Sequence, residues 1–220
     1  MFARTRGLKS ELAFILASRA QIAYVSKGDV EKAREYMDEA ARLSREMGYQ
    51  WAYSFSTFGL ARIAAELGDM ELARKRFAES EEVARQLGNK RIIYSSRSEL
   101  AHVLRQHGEI DEALKTYLDL LPKWKDMGHR SAVAHELECI AFILARKEKL
   151  ARAAKLLGAA EALREAIDSV MTPMEQEEYA KEVEALRAGM DEAELKMKWE
   201  KGRALSMDEG IAFALDEAHG

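Results

Sequence analysis

Histidine and cysteine are the side chains here best suited to metal or nucleophilic chemistry, and their spacing favours neither. The one cysteine, Cys139, lacks a sequence context typical of a nucleophile. No GxxxxGKS or GxxxxGKT loop is available to cradle phosphates. The histidines lack the HExxH spacing that puts two metal ligands on one helix face, and they are His102, His107, His129, His135 and His219. We therefore expect no catalytic residue, no metal and no cofactor, and interpret the protein as not an enzyme.

Two local alternatives stay open at these side chains. His102 and His135 would lie on neighbouring helices and could share a metal ion, but a histidine on a helix surface is the commoner case. Cys139 occupies a packing position that Gly59 shares, which favours a small buried side chain.

Composition excludes several classes of protein. The sequence has 220 residues, with 34 Lys and Arg against 38 Asp and Glu, which gives a net charge of −4. No basic excess therefore indicates direct binding of nucleic acid. No apolar run approaches the roughly 18 residues of a membrane span, and we expect no contact with a membrane. A single cysteine is typical of a protein of the reducing cytoplasm.

A repeat of 40 residues decides which elements position these side chains. Two sets of glycines recur at that interval, and they are Gly28, Gly68 and Gly108, and Gly48, Gly88 and Gly128. A small side chain keeps the same spacing at Ala33, Ala73, Ala113 and Ala153. A fourth unit is present without its glycines, because Glu148 and Asp168 stand at its two turn positions. Four aligned positions over four units indicate a repeat protein.

Each unit reads as two helices separated by a glycine turn. The spacing predicts helices over 8–26, 29–47, 49–67, 69–87, 89–107, 109–127, 129–147 and 149–167. The aligned positions, such as Leu60-Ala61, Leu100-Ala101 and the Gly-Asp turns, resemble the tetratricopeptide repeat. The resemblance implies an all-α fold, an α-solenoid of four tetratricopeptide-like helix pairs forming a right-handed superhelix. The unit of 40 residues, rather than 34, indicates the variant with longer helices.

The last 52 residues depart from the repeat and predict a three-helix cap. Thr172-Pro173 and Ser206 each begin a helix with a capping box, and a helix carrying Trp199 lies between them. We expect residues 1–168 to form the repeats and 169–220 to pack on the last repeat within one continuous domain. The cap should cover helix 149–167 and bury most of Trp199.

The same region carries a second resemblance. Residues 151–167 and 173–215 are similar to the C-terminal end of large bacterial LuxR-type ATP-binding regulators and of cyclase-linked relatives. The matching elements are the helix with LLGAAE, the helix that begins at Pro173, and the run WEKGRALSMDEGI (199–211). That resemblance implies a sensor or interaction arm of a signalling or transcriptional regulator. The ATPase and DNA-binding activities are not implied, because their motifs are missing.

A tetratricopeptide stack binds ligands on the concave face formed by the first helices of its pairs. The repeat positions place these residues there: Ser18, Ile22, Phe55, Phe58, Arg62, Ser95, Ser98, His102, Arg105, His135, Glu138, Phe142 and Arg146. Arginines and phenylalanines together suit a peptide with apolar anchors and a carboxylate. The alternative is that the rings pack between helices and the arginines are only solvated.

The function that follows is a non-enzymatic module that binds a protein or peptide. The alternative is a sensor that binds a small ligand in the groove. Residues 2–7 resemble the end of a second helix with its glycine turn, which predicts a chain belonging to a longer repeat array. The face of helix 8–26 that carries Leu12, Ile15, Leu16 and Ile22 would then be open for a neighbouring domain or for self-association.

Overall fold

The structure is a computed structural model that describes residues 2–27 and 29–216. Within those residues the chain forms eleven α-helices and no strand, as the sequence predicts. The helices are α1 (Phe2–Lys27), α2 (Val30–Glu46), α3 (Gln50–Glu66), α4 (Met70–Gln86), α5 (Lys90–Gln106), α6 (Ile110–Asp126), α7 (Arg130–Arg146), α8 (Leu150–Glu165), α9 (Pro173–Gly189), α10 (Glu192–Arg203) and α11 (Met207–Leu215).

The helices belong to two compact units that divide inside α5. Unit 1 is Met1–Val103 and unit 2 is Leu104–Gly220. In unit 1, α2 packs against α1 and α3, and α3 packs against α4. In unit 2, α7 packs against α6 and α8. Consecutive helices are thus neighbours, which is the arrangement of an α-solenoid built from helix pairs.

The turns between these helices follow the repeat. Gly48, Gly68, Gly88, Gly108 and Gly128 all have positive φ angles, between 65° and 87°. Glu148 and Asp168 take the matching left-handed conformation, at φ 60° and 49°. The fourth unit therefore keeps the turn geometry without glycine, a conformation that is strained for a residue with a Cβ. Gly28, expected at the first turn, lies outside the described residues.

The N-terminal helix corrects one expectation. Helix α1 begins at Phe2 and continues through Gly7, so residues 2–7 do not form a helix end and a turn. A glycine inside a helix costs only about 1 kcal/mol relative to alanine, and neighbouring helix formers readily outweigh it.

Small side chains let the paired helices approach closely. In unit 1, the Ser54 hydroxyl donates to the carbonyl oxygen of Ser80, and the Ser80 hydroxyl donates to that of Ser54, both at 2.9 Å. These reciprocal bonds join α3 to α4 at a position where neither side chain is exposed. The buried hydroxyls of Ser54 and Ser80 are thereby paired.

The C-terminal helices begin at the predicted caps. Thr172 and Ser206 both form complete capping boxes, with Glu175 and Glu209 respectively. Helix α11 lies against α6, α7 and α8. Helix α9 packs against α8, and its side chains also contact α7 and the end of α5.

Helix α10 crosses α8 at two facing glycines. A Cβ on Gly158 would lie 2.9 Å from the carbonyl carbon of Trp199, and one on Gly202 would lie 2.8 Å from that of Lys155. The backbones are therefore in direct contact, and the Trp199 indole lies beside the crossing. Most of its surface is buried, as expected, and its Nε1 donates to Glu161 at 2.7 Å.

No helix within the described ranges is both long enough and apolar enough to cross a lipid bilayer.

Candidate functional site

One group of large apolar side chains at the surface of unit 1 is a cluster of aromatic rings. We call Phe14, Tyr49, Trp51 and Phe55 the aromatic surface. The Trp51 and Phe55 rings are 5.8 Å apart and nearly parallel, at 5°. Phe14 and Tyr49 flank Trp51 at 6.4 and 6.2 Å. Phe14 is 55% exposed and Trp51 is 36% exposed, so the stack offers ring faces and edges to a ligand.

This surface continues along the predicted positions of α1 and α3. Ser18 and Ile22 follow Phe14 at four-residue intervals on α1, and both are exposed. Phe58 and Arg62 follow Phe55 on α3 at spacings of three and four, and both are half-buried. Residues at these spacings share one helix face. The structure therefore groups the predicted residues of both helices with the aromatic surface.

A small cleft ends this face. It is lined by Tyr24, Phe55, Phe58, Arg62 and their neighbours, and its cavity volume is about 20 Å³. Such a volume holds about one water molecule. The Arg62 guanidinium stacks 5.2 Å from the Tyr24 ring and pairs with Glu99 at 3.5 Å. Burial, followed by the hydrogen bond to Glu66, raises the pKa of Tyr24. The cleft is thus too small to enclose a ligand larger than a water molecule.

The predicted residues of α5 differ in exposure. Ser95 and His102 are half-buried, whereas Ser98 is 8% exposed and belongs to the packed interior. Unit 1 therefore offers Ser95 and His102 to a ligand but not Ser98.

In unit 2, helix α9 covers the predicted face of α7. Tyr179 packs edge-on against Phe142, with the ring centroids 6.2 Å apart. The Arg146 guanidinium donates to Glu182 at 2.6 Å, and His135 Nδ1 lies 3.8 Å from Glu175. Phe142 is only 4% exposed. Among the predicted α7 residues His135, Glu138, Phe142 and Arg146, only Arg146 is exposed.

Arg105 is the buried centre of this contact. Its side chain has no exposed surface, its Nη2 donates to Glu178 at 2.5 Å, and its Nη1 lies 3.6 Å from Glu182. Its guanidinium also lies 5.4 Å from the Phe142 ring. Two carboxylates of α9 thus compensate a charge that burial would otherwise make costly.

Glu138 is also buried in unit 2. It is 3% exposed and forms a two-pronged ion pair with Arg164 of α8, at 2.6 and 2.7 Å. The expected positions of Arg105, Glu138 and Phe142 on an open groove are therefore corrected, because α8 and α9 bury these side chains.

The histidine and cysteine of α7 form a pair. Cys139 is fully buried, as predicted, and its Sγ lies 3.6 Å from His135 Nε2. The pKa of His135 is raised well above its ordinary range, first by Cys139 and then by the carboxylates of Glu136 and Glu138. Within the described residues, no three His, Cys, Asp or Glu side chains are grouped to hold a metal ion. His219 lies outside those residues.

A larger, open cleft lies elsewhere in unit 2. Its cavity volume is about 900 Å³, and it runs from the start of α8 at Glu148 and Arg152 to Asp191 and Asp216. Arg152 is held there by its bond to the Phe213 carbonyl oxygen at 2.9 Å. The lining contains both acidic and basic side chains. The repeat pattern of the sequence did not predict this cleft.

Three residues of the aromatic surface were missed at the sequence level. Trp51, Phe55, Phe58 and Arg62 follow one another at spacings of four, three and four, so extending the predicted face one turn back would have included Trp51. The same step back from Ser18 would have included Phe14, whereas Tyr49 carried no such signal, because it lies in the turn before α3.

Comparison with known proteins adds no family to this geometry. No protein-family model matches the chain, and no curated protein matches it.

Proposed function

We propose that the protein is a non-enzymatic module that binds a protein or peptide through the aromatic surface of unit 1. The observation that carries the proposal is the cluster of four aromatic rings on this repeat, of which Phe14, Tyr49 and Trp51 are exposed and Phe55 is half-buried. Monomeric proteins rarely leave large apolar patches in water, and such patches mark interaction sites. Aromatic side chains also dominate the binding energy of protein interfaces.

The contrast with unit 2 supports the same proposal. There the equivalent face of α7 is covered by α9, with Tyr179 against Phe142. In unit 1 the corresponding positions of α3 are Phe55, which stands 80 residues before His135, and Arg62, which stands 80 residues before Phe142. The small cleft beside Phe58 is too small for a metabolite, which favours a peptide over a small ligand at this face.

The resemblance of residues 151–211 to the LuxR-type regulators extends the proposal. It would make the chain a cytoplasmic sensor or scaffold arm of a bacterial signalling or transcriptional regulator. The partner would then be a protein that the regulator senses.

Peptide selection on the immobilised full chain tests the binding function. Enriched peptides should lose about 30-fold in affinity when Trp51→Ala removes the central ring, which is the loss of a hot-spot side chain. Leu72→Ala is the matched control, because Leu72 is 39% exposed on α4 and lies outside the aromatic surface. Peptides that bind both variants equally, or a selection without enrichment, would contradict the proposal.

Self-association through the N-terminal repeat is a second use of the same unit. Leu12 is 42% exposed, Ile15 is 52% exposed and Ile22 is 56% exposed, whereas Leu16 is buried at 6%. Three exposed apolar side chains on one helix suit a second copy of the chain. Sedimentation over a concentration range should show association that Ile15→Glu abolishes. A monomer at all concentrations would exclude it.

A further inference from the structure

The α7 face of unit 2 is occupied by a segment of the same chain in the manner of a bound ligand. Glu175, Glu178, Tyr179 and Glu182 lie at i, i+3, i+4 and i+7, so they form one face of α9. Each of the four contacts a side chain on α5 or α7. This is how an amphipathic helix lies in a groove, with anchors at those spacings.

The chemistry of the contact selects an acidic helix. Three glutamates of α9 meet Arg105, Arg146 and His135, and its tyrosine meets Phe142. Arg105 is wholly buried, so anything that replaces α9 has to bring carboxylates to it. A neutral or basic helix would lose the ion pairs that this guanidinium forms with Glu178 and Glu182. The face is therefore selective for negative charge as well as for an aromatic anchor.

Helix α9 is held separately from the two helices that follow it. Non-helical segments join it to α8 and to α10, at 166–172 and 190–191. Helix α10 is anchored on α8 by the backbone contact of Gly158 and Gly202. Val183 and Leu186 of α9 are also buried, at 8% and 1%, so a competing helix must supply apolar side chains one turn further on. Departure of α9 would thus leave the α8–α10 contact in place.

We propose that this α7 face, with Arg105, is a binding site for an acidic amphipathic helix of a partner protein, and that α9 is its built-in competitor. The partner helix carries glutamates at i, i+3 and i+7 and an aromatic residue at i+4. The site is independent of the aromatic surface of unit 1.

The test uses a fluorescein-labelled peptide of residues 172–190 as probe and the full chain as receptor. A competitor that fills the site lowers the apparent affinity of a ligand by the fraction of open molecules. Glu178→Gln with Glu182→Gln in the chain weakens the built-in helix, so the apparent Kd of the probe should fall at least tenfold. The matched control is Glu184→Gln, an exposed residue on the opposite side of α9, which should leave the Kd unchanged.

A second probe tests the charge requirement. The same peptide with glutamine in place of its three glutamates, at 175, 178 and 182, should bind at least tenfold more weakly than the acidic peptide. Equal binding of both peptides, or no binding to either the wild type or the weakened chain, would overturn the proposal. Circular dichroism establishes that each chain is folded.

Hydrogen exchange of the unmodified chain gives an outcome that needs no variant. We expect the amides of α9 to exchange at least tenfold faster than those of α8, because a displaceable helix opens without global unfolding. Equal protection of the two helices would make α9 a fixed part of the fold and would overturn the proposal. Protection that rises with protein concentration as dimers form would assign the face to a second copy, which also overturns it.

Discussion

The facing glycines of α8 and α10 allow a prediction with a worked magnitude. Gly158→Ala places a methyl group closer to the Trp199 carbonyl than van der Waals contact allows, 2.9 Å from its carbon and 3.1 Å from the Arg203 nitrogen. Carbon atoms prefer about 3.5–4.0 Å, so the helices have to separate. Neither obstacle is a side chain that can rotate away.

Two opposing terms decide the result. Alanine favours a helix interior over glycine by about 1 kcal/mol. Overpacking typically costs about 1–3 kcal/mol, and contact with rigid backbone belongs at the upper end of that range. The net loss is about 2 kcal/mol, which lowers the melting temperature by roughly 4–8 °C for a chain of this size. Gly202→Ala should act similarly, because its Cβ meets the Lys155 backbone.

Gly210→Ala is the control, in the neighbouring helix α11. Its Cβ would lie 3.5 Å from Ala159 and 3.7 Å from Leu137, both ordinary contacts. This variant should be neutral or more stable by up to about 1 kcal/mol. Thermal and urea unfolding followed by circular dichroism measures all three. If Gly158→Ala were as stable as Gly210→Ala, the close backbone crossing would be refuted.

Three further predictions concern the turns, a buried ion pair and pH. Gly128→Ala should cost about 1–2 kcal/mol in unfolding free energy because φ is 70° there, whereas Glu148→Gly should not destabilise its turn at φ 60°. Arg164→Met should cost about 3–5 kcal/mol by leaving Glu138 buried without its partner, and adding Glu138→Leu should restore most of that loss in urea titrations. Burial raises the pKa of Glu175, but the hydrogen bonds with Thr172 and the nearby charges of His135 and Arg164 together outweigh it, so the pKa is lowered. The contribution of Glu175 to stability is complete above the ordinary carboxyl pKa and is lost as pH falls through the lowered value. The melting temperature of Glu175→Gln should therefore fall less steeply with pH than that of the wild type below about pH 4.3. A variant with the wild-type pH profile would contradict the last prediction.

The repeat is the part of this protein that its sequence determines. Glycines 40 residues apart fix where helices end, because a left-handed residue stops a helix wherever it occurs along the chain. The capping boxes at Thr172 and Ser206 are equally local, since each involves residues only three apart. Helix bounds from α2 to α8 were therefore predictable to within about two residues.

Tertiary structure decided which of the predicted site residues stay open. Phe55 and Phe142 both stand on predicted face positions of first helices, and the sequence treats them alike. Only the folded chain shows that Phe55 stacks on exposed Trp51 while Tyr179 covers Phe142. Where α9 lies depends on long-range ion pairs, such as that between Arg105 and Glu178, 73 residues apart. No local pattern encodes such a contact, because many charges on an acidic helix can pair equally well until packing selects the partners.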